Sequence, residues 1–590
     1  MRVGIGDLSK GVASYHYENP TIMEFNNLER FINAYHGREG RPFTQWKDLT
    51  ISHTAFNSLI NSQSEDFNTF LSELKQWAGD KKRKLKVIDK EDFVKDLGSF
   101  LDLDDKTINP IELYAYYLGL YINNQHNGIF MNYILSFPVT YEVEIRNKII
   151  ASFEKGIKKS LPLELHLQEG AVEQLSVVKG ASEPAAYAVI ALQEYGFEPI
   201  DDEKVFYGIF DFGGGTTDFD FGIYKEANGK NQRRYDFVIE HFGAGGDRYL
   251  GGENLLELLA FEVFKKNKDK ILESSMQFVL PPECRKFPGS ETLLSNSREA
   301  KMNTKVLMEK LRPFWEGKDD EISEIQSGVL SLNMTNSSGE IQAGFELDVD
   351  IDEMHIILKS RIKKGVVSFF DSLREAFSNS KISLKDIKEI NIFLAGNSSK
   401  SHLLADIFEE EISKRKEEIH KELQFDESME IFKIYPPLGQ DDEDNPEKPT
   451  GKTGVAFGLI ETRKGGKTLV VDHNTDENNI NFKCYLGMSK RKKFRVIIDR
   501  DTEYNQWIDF IDASEDTFEV YYASIAMAST NQLDISDNSV KKKMLKIDVV
   551  DENALVYIRL VNATDFEYVV ATENGIKNNE YLCEIQKVAL

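Results

Sequence analysis

Two hydrophobic periods divide the chain. Up to about residue 462, short apolar runs of strand length alternate with longer stretches whose apolar positions recur at helical spacing. Residues 1–25 read as a short β start. Phe56, Leu59 and Ile60, then Phe67, Phe70, Leu71 and Leu74, predict a helix over about 54–76. Residues 110–127 predict another, with Pro110 in its first turn. Tyr133–Phe137 reads as a buried strand stopped by Pro138, with a helix over 142–156 behind it. A strand–helix unit over about 172–196 precedes two long strands around a glycine-rich turn. Helices are expected over about 251–271, 297–315 and 352–379, and a strand–loop–helix unit over Ile390–Glu411. Pro436–Thr450 is a Pro- and acid-rich loop, and Gly451–Ile460 a glycine-entered apolar helix. Strands alternating with helices specify an α/β architecture.

The pattern changes after residue 462. Arg463-Lys464-Gly465-Gly466-Lys467 has linker composition, and the apolar run Leu469-Val470-Val471 ends at Asp472. From about 480 to 590 nearly every apolar run is strand-like, as in Phe494–Ile498, Phe518–Tyr522 and Ala554–Leu560. That length suits a β-sandwich. The expected division is therefore 1–462, a linker over 463–479, and a β-rich domain over 480–590. No internal repeat is present.

Composition narrows the function classes. The formal net charge of −26 argues against a nucleic-acid surface. The local run Lys490-Arg491-Lys492-Lys493 reads as a solvated turn between strands. No apolar run is long enough to span a membrane, and Met1–Asp7 lacks a secretory apolar stretch, so a cytoplasmic location and no membrane partner are expected. Cys284, Cys484 and Cys583 have neither metal-ligand nor disulfide spacing and read as buried thiols.

The candidate chemistry is concentrated in residues 205–221. An apolar strand runs into Asp211; Gly213, Gly214 and Gly215 follow, then Thr216, Thr217, Asp218 and a second strand. Glycines at a hairpin tip let backbone N–H groups approach an anion, because no Cβ intervenes. Hydroxyls add donors, and a carboxylate at a strand end suits the waters of Mg²⁺. A three-glycine turn is also an ordinary hairpin tip; the complete string between two apolar strands is more specific.

That string resembles the phosphate-binding hairpin of actin-like ATPases, and in particular of the Hsp70 (DnaK-like) chaperones. Further segments resemble that family in the same order along the chain. Ser136-Phe137-Pro138 precedes a helix, and Ser182-Glu183-Pro184-Ala185-Ala186 opens one. Gly245-Gly246-Asp247 leads to Leu250-Gly251-Gly252-Glu253-Asn254. Ala395-Gly396-Asn397-Ser398-Ser399 resembles the adenosine-contacting turn, and Thr450–Gly458 the closing helix. Gly451-Lys452-Thr453 is not a P-loop, because Pro446 stands where its first glycine belongs.

The resemblance implies a two-lobed actin-like ATPase with ribonuclease H-like subdomains, followed by a β-sandwich-like domain similar to an Hsp70 substrate-binding β-subdomain. It implies ATP/ADP and Mg²⁺ as cofactors and a weak Mg-dependent ATPase. Asp211 and Glu183 would position metal and water, and Lys75 would orient the water; on its residues alone, Lys75 reads equally as a solvated lysine. Gly213–Thr217, Gly251, Gly252 and Glu253 would hold nucleotide, as would Gly396, Asn397, Ser398 and Ser399. The implied partners are a peptide or protein client at the β-domain, and co-chaperones or operon partners. On its own residues the β-domain reads equally as a module with another role. The chain ends at Leu590 without the family's helical lid, so fast peptide exchange is expected.

One departure bears on activity. The family's first phosphate hairpin corresponds to Gly6-Asp7-Leu8-Ser9-Lys10-Gly11, where Ser9-Lys10-Gly11 replaces Gly-Thr-Thr. Asp7, Ser9 and Lys10 remain candidate phosphate contacts. Binding without hydrolysis, in a nucleotide-gated scaffold, is the alternative expectation.

Overall fold

The computed structural model describes residues 14–590 apart from 61–68, 73, 80, 82, 105–107, 125–127, 139–140, 248, 319–321, 380–386, 424–430, 440–444, 446–447, 474–481, 501, 503, 525–527, 529–532, 538 and 563. The architecture is mixed α/β, as the alternating periods predict. No helix among the described residues is long and apolar enough to cross a membrane. The three cysteines are free and half-buried rather than fully enclosed.

In the N-terminal part, Met23–Phe25 lies between Leu49–Ile51 and Phe70–Leu71 in a small antiparallel sheet. Phe25, Phe31, Trp77, Phe100 and Tyr116 fill the core beneath it. Three helices surround that core: α1 (Leu74–Gly79), α2 (Pro110–Asn124) and α3 (Val143–Ser160). A Cβ on Gly156 of α3 would lie 2.2 Å from the Glu112 carbonyl oxygen, so α2 and α3 meet backbone to backbone. The helix expected over 54–76 is not one element. Ser52–Ile60 is helical, Phe67 lies outside the described residues, and Phe70–Leu71 pairs with Met23 and Glu24 as a strand. Two adjacent apolar residues satisfy either period, and the neighbouring strand decides between them.

The helix α4 (Glu183–Glu194) leads into a six-stranded sheet. Its strands are β1 (Lys204–Phe212), β2 (Thr217–Glu226), β3 (Phe237–Asp247), β4 (Ile390–Ala395), β5 (Phe432–Tyr435) and β6 (Thr468–Asp472), in the order β5-β4-β1-β2-β3-β6. β1, β2 and β3 form an antiparallel meander. β4 runs parallel to β1 and to β5, and β6 runs parallel to β3. Helices α5 (Gly252–Lys266), α6 (Arg298–Glu316) and α7 (Ile351–Asn379) lie between β3 and β4 in sequence, and α8 (Gly454–Thr462) follows β5.

Strand periodicity sorts the side chains of the hairpin. Phe206, Phe210 and Phe212 of β1, with Phe219 and Phe221 of β2, pack toward Phe369 of α7. Val205, Tyr207 and Ile209, with Tyr224, pack toward α4. Asp211 continues the second series on β1, and Asp218 and Asp220 share the Tyr224 series on β2. The acidic residues therefore lie on the face that carries α4.

Among the described residues, 485–590 hold eight strands: β7 (Tyr485–Lys490), β8 (Lys493–Ile498), β9 (Ile508–Ala513), β10 (Thr517–Ala523), β11 (Lys541–Lys546), β12 (Asp551–Leu560), β13 (Asp565–Ala571) and β14 (Gln586–Ala589). They make two antiparallel sheets, β8-β7-β10-β11 and β9-β12-β13-β14. Leu486, Ile498 and Val520 of the first share a core with Phe510, Val556, Phe566 and Val570 of the second. Polar contacts join this part to the rest. Lys364 Nζ of α7 lies 2.9 Å from Asp537 Oδ2, Arg285 Nη2 donates to the Val540 carbonyl at 3.0 Å, and Lys483 Nζ lies 3.6 Å from a Glu142 oxygen.

Candidate functional site

Asp211 and Asp218 are cross-strand partners close to the turn of the β1–β2 hairpin, and Phe212 pairs with Thr217 one step nearer the tip. The tip closes through Gly213 N–H donating to the Thr216 carbonyl at 3.0 Å. Its carbonyls are bound from one side by the start of α5. Gly252 N–H donates to Gly213 O at 3.1 Å, Glu253 N–H to Gly214 O at 2.7 Å, and Asn254 Nδ2 to Gly215 O at 2.8 Å. The amides of Gly214 and Gly215 find no acceptor among the described residues.

The glycines of this region fall into two classes. Those of the second and third turns are required by packing. A Cβ on Gly251 would lie 2.4 Å from the Gly215 backbone, and one on Gly252 2.7 Å from Ser398 Oγ. Gly396 has φ +79°, and a Cβ there would lie 2.3 Å from the Phe212 carbonyl oxygen. A Cβ on Gly214, by contrast, would meet nothing nearer than Glu253 Cγ at 4.0 Å, and one on Gly215 only the flexible end of Gln76, at 3.3 Å. Backbone contact therefore demands glycine at 251 and 396, a Cβ at 252 would have to displace the Ser398 hydroxyl, and the space above 214 is open.

Ser398 Oγ donates to Gly213 O at 3.0 Å, tying the third turn to the first. Ser399 is buried and its hydroxyl donates to Ala395 O, whereas Asn397 is exposed. Thr217 Oγ1 donates to Leu250 O at 2.7 Å, and Thr216 Oγ1 to Asp218 Oδ2 at 3.2 Å. Gly451 closes the group, with its Cβ position 3.8 Å from the Gly396 backbone.

Glu183 enters from the first turn of α4. Ser182 caps that helix by accepting from Ala185 N–H, and Pro184 fits a first-turn position, where a missing N–H costs nothing. Tyr187, one turn on, donates its hydroxyl to Leu394 O and accepts from Leu438 N–H, fixing α4 against β4. Lys75 of α1 places its Nζ 3.1 Å from both Glu183 oxygens, and Tyr141 donates to the Lys75 carbonyl. The Lys75 side chain is half-exposed, yet enough protein surrounds it for burial to pull its ammonium down. Glu183, Tyr141 and Asp218 outweigh that pull and hold it above its ordinary range.

Burial, then Glu183 and Asp218, push the Asp211 carboxyl up to about 7, with Lys75 opposing. Burial and Glu183 push Asp218 up to about 7, with Lys75 and the Thr216 hydroxyl opposing. Asp218 is 4% exposed, and its Oδ1 has no hydrogen-bond partner. Such an oxygen is costly to leave unmatched, so these carboxylates call for a cation. Among the described residues no three acidic, imidazole or thiol groups converge for direct ligation. The arrangement suits an ion that keeps its waters.

Glu253 is otherwise engaged. Its oxygens accept from Arg312 at 2.6 and 3.0 Å, and Lys305 Nζ lies 3.5 Å away. Burial raises the Glu253 carboxyl, but Arg312 and Lys305 more than offset this and keep it below its ordinary range.

Of the residues singled out by sequence, Lys75, Glu183, Asp211, Gly213–Thr217, Gly251–Glu253 and Gly396–Ser399 come together here; Asp7, Ser9 and Lys10 lie outside the described residues. Sequence reasoning gave Asp218 no role, although a short hairpin tip necessarily brings it opposite Asp211. Tyr187 and Arg312 carried no signal at all. The chain matches no protein-family model and no curated protein at a significant level.

Proposed function

We propose that this chain is an ATP-binding, Hsp70-like chaperone with a two-lobed actin-like ATPase. In this reading, lobe closure is coupled through residues 463–479 to a peptide- or protein-binding β-domain. The observation that carries the reading is the open tip at Gly214 and Gly215. Their amides lack acceptors, while the flanking glycines are consumed in stacking three turns together.

The residues fit the implied groups. The Gly214 and Gly215 amides would donate to phosphate oxygens, and Ser398 and Asn397 lie on the turn nearest an adenosine. Asp211 and Asp218 would hold hydrated Mg²⁺, whose charge offsets that developing on a transferred phosphoryl group. Glu183 would orient an attacking water and accept its proton, and Lys75 fixes Glu183 through both oxygens. Supporting the coupling, β6 is built from the linker segment and lies on β3, whose far end leads through Asp247 and Leu250 to Gly251. A client peptide in the β-domain would be held by main-chain hydrogen bonds and apolar pockets.

Ser9-Lys10-Gly11 favours a second reading, a nucleotide-gated scaffold with little turnover. Equilibrium ATP binding and single-turnover hydrolysis with Mg²⁺ separate the two, using wild type, Asp211→Ala and Glu183→Ala. Binding with slow hydrolysis that both variants abolish supports the ATPase. Binding without hydrolysis supports the scaffold. Absence of ATP binding by wild type overturns both.

A further inference from the structure

The Lys490–Lys493 run forms the tip of the β7–β8 hairpin, and the tip breaks three local rules at once. Lys490 and Lys493 stand directly opposite each other in the ladder, a like-charge pair that opposes pairing. Between them, Arg491 has φ +54° and Lys492 φ +63°. Two successive left-handed residues make a type I′ turn, which favours Asn-Gly because a Cβ is strained there. Finally, the charges go unanswered. Lys490, Arg491 and the outward-facing Arg495 are exposed and have no carboxylate partner among the described residues. Lys492 and Lys493 share a single exposed one, Asp534, which lies 3.7 Å from Lys493 Nζ. Carboxylates are abundant here, with 98 acidic against 72 basic residues, so shortage does not explain five poorly matched cations.

The tip is nevertheless held firmly. Ile535 N–H donates to the Lys492 carbonyl at 3.0 Å, Phe494 N–H donates to Leu533 O at 2.8 Å, and Phe494 is fully buried. Strain persists where the surroundings over-determine it, and it collects at functional sites.

We propose that this hairpin tip is a docking site for an acidic polypeptide segment. The choice of occupant follows from charge. The tip carries a compact cluster of cations, while the chain as a whole stands at −26. At physiological salt the screening length is about 8 Å, so a short acidic segment on the tip feels the cations and little of the remainder. A nucleic acid extends past the tip and meets the acidic surface, where each further phosphate is repelled. The proposal stands apart from the nucleotide reading, and no nucleotide enters its test.

The test uses the full chain and a labelled decaglutamate peptide, followed by fluorescence anisotropy at low and physiological salt. Arg491→Asn with Lys492→Gly installs the turn that the geometry favours while removing two cations. The expected result is a melting temperature at or above wild type together with about tenfold weaker peptide binding, the scale of two exposed charge pairs. Lys490→Gln with Lys493→Gln, which leaves the turn residues alone, is expected to weaken binding similarly. The proposal is overturned if wild type does not bind decaglutamate, or if both double variants bind it as wild type does. It is equally overturned if a single-stranded oligonucleotide of equal charge binds more tightly than the peptide.

Discussion

Asp211 and Asp218 face each other across the last ladder position but one before a hairpin tip, Asp218 buried and Asp211 half-buried, and both are pushed up to about 7. Burial and the Glu183 charge raise both, and the Asp218 charge raises Asp211 further. Above pH 3.8 the unfolded carboxyls ionise while the folded ones keep protons. Stability therefore falls as pH rises through the acid range and levels off above about 7. Asp218→Asn is expected to raise the melting temperature at about pH 8, by roughly 2–4 °C for each ~1 kcal/mol of repulsion relieved, and to change it little near pH 4. Mg²⁺ should stabilise wild type at the higher pH and fail to stabilise the variant. Calorimetry at the two pH values checks both; equal shifts at both would refute the coupling.

The two classes of glycine predict opposite phenotypes. Gly214→Ala should melt within ~0.5 kcal/mol of wild type, because nothing crowds a Cβ there, and yet bind ATP roughly tenfold more weakly. Gly396→Ala forces a Cβ onto the Phe212 carbonyl at a left-handed φ and should destabilise by ~2 kcal/mol or more. Melts paired with nucleotide titrations distinguish them; wild-type affinity in Gly214→Ala would count against the phosphate role.

Among the described residues, Lys75 forms an ion pair with Glu183 and with no other carboxylate, and it is half-exposed. Lys75→Met should leave stability within ~0.5 kcal/mol and nucleotide affinity within about threefold, while single-turnover hydrolysis falls about 100-fold. Combining it with Glu183→Gln should add little, as for residues acting as one unit. Fully multiplicative effects would show that the pair does not act together.

At the edge of the central sheet, His241 of β3 pairs in register with Asp472 of β6 and shares a hydrogen-bonded cluster with Asp220 and Tyr207. Burial lowers the imidazole, but Asp220 and Asp472 outweigh it and hold it above 6.5. The stability it contributes is therefore fully present below pH 6.5 and lost as pH rises through the elevated value. His241→Gln should lower the melting temperature more at about pH 6 than at about pH 9. Proteolysis across 463–480 should follow the same trend, since β6 rests on this strand; a gap independent of pH would exclude the protonated form.

The sequence made the hairpin legible because its chemistry is local: strand, glycines, hydroxyls and carboxylates within seventeen positions. The strands of the C-terminal part were equally plain. Other features depended on partners distant in sequence. Phe70 and Leu71 needed Met23 to become a strand. Val329–Thr335 and Ile341–Asp348 form a hairpin that drew no notice, because alternation there is masked by exposed apolar positions at Val329 and Ile341. Leu469–Asp472 read as linker because polar residues flank a very short apolar run, yet it completes a sheet. Arg312 lies 59 positions from Glu253, a separation no local pattern spans.

The contact between α4 and α8 has a mechanical meaning. A Cβ on Gly458 would fall 1.8 Å from the Ala186 carbonyl oxygen, and one on Gly454 2.9 Å from the Tyr187 ring. At Gly458 the two backbones touch with no side chain between them, and at Gly454 the packed Tyr187 ring fills the gap, so the joint has little slack. Glu183 opens the first of these helices, and the segment that becomes β6 follows the second. The two helices must therefore shift together, as two plates riveted face to face move as one.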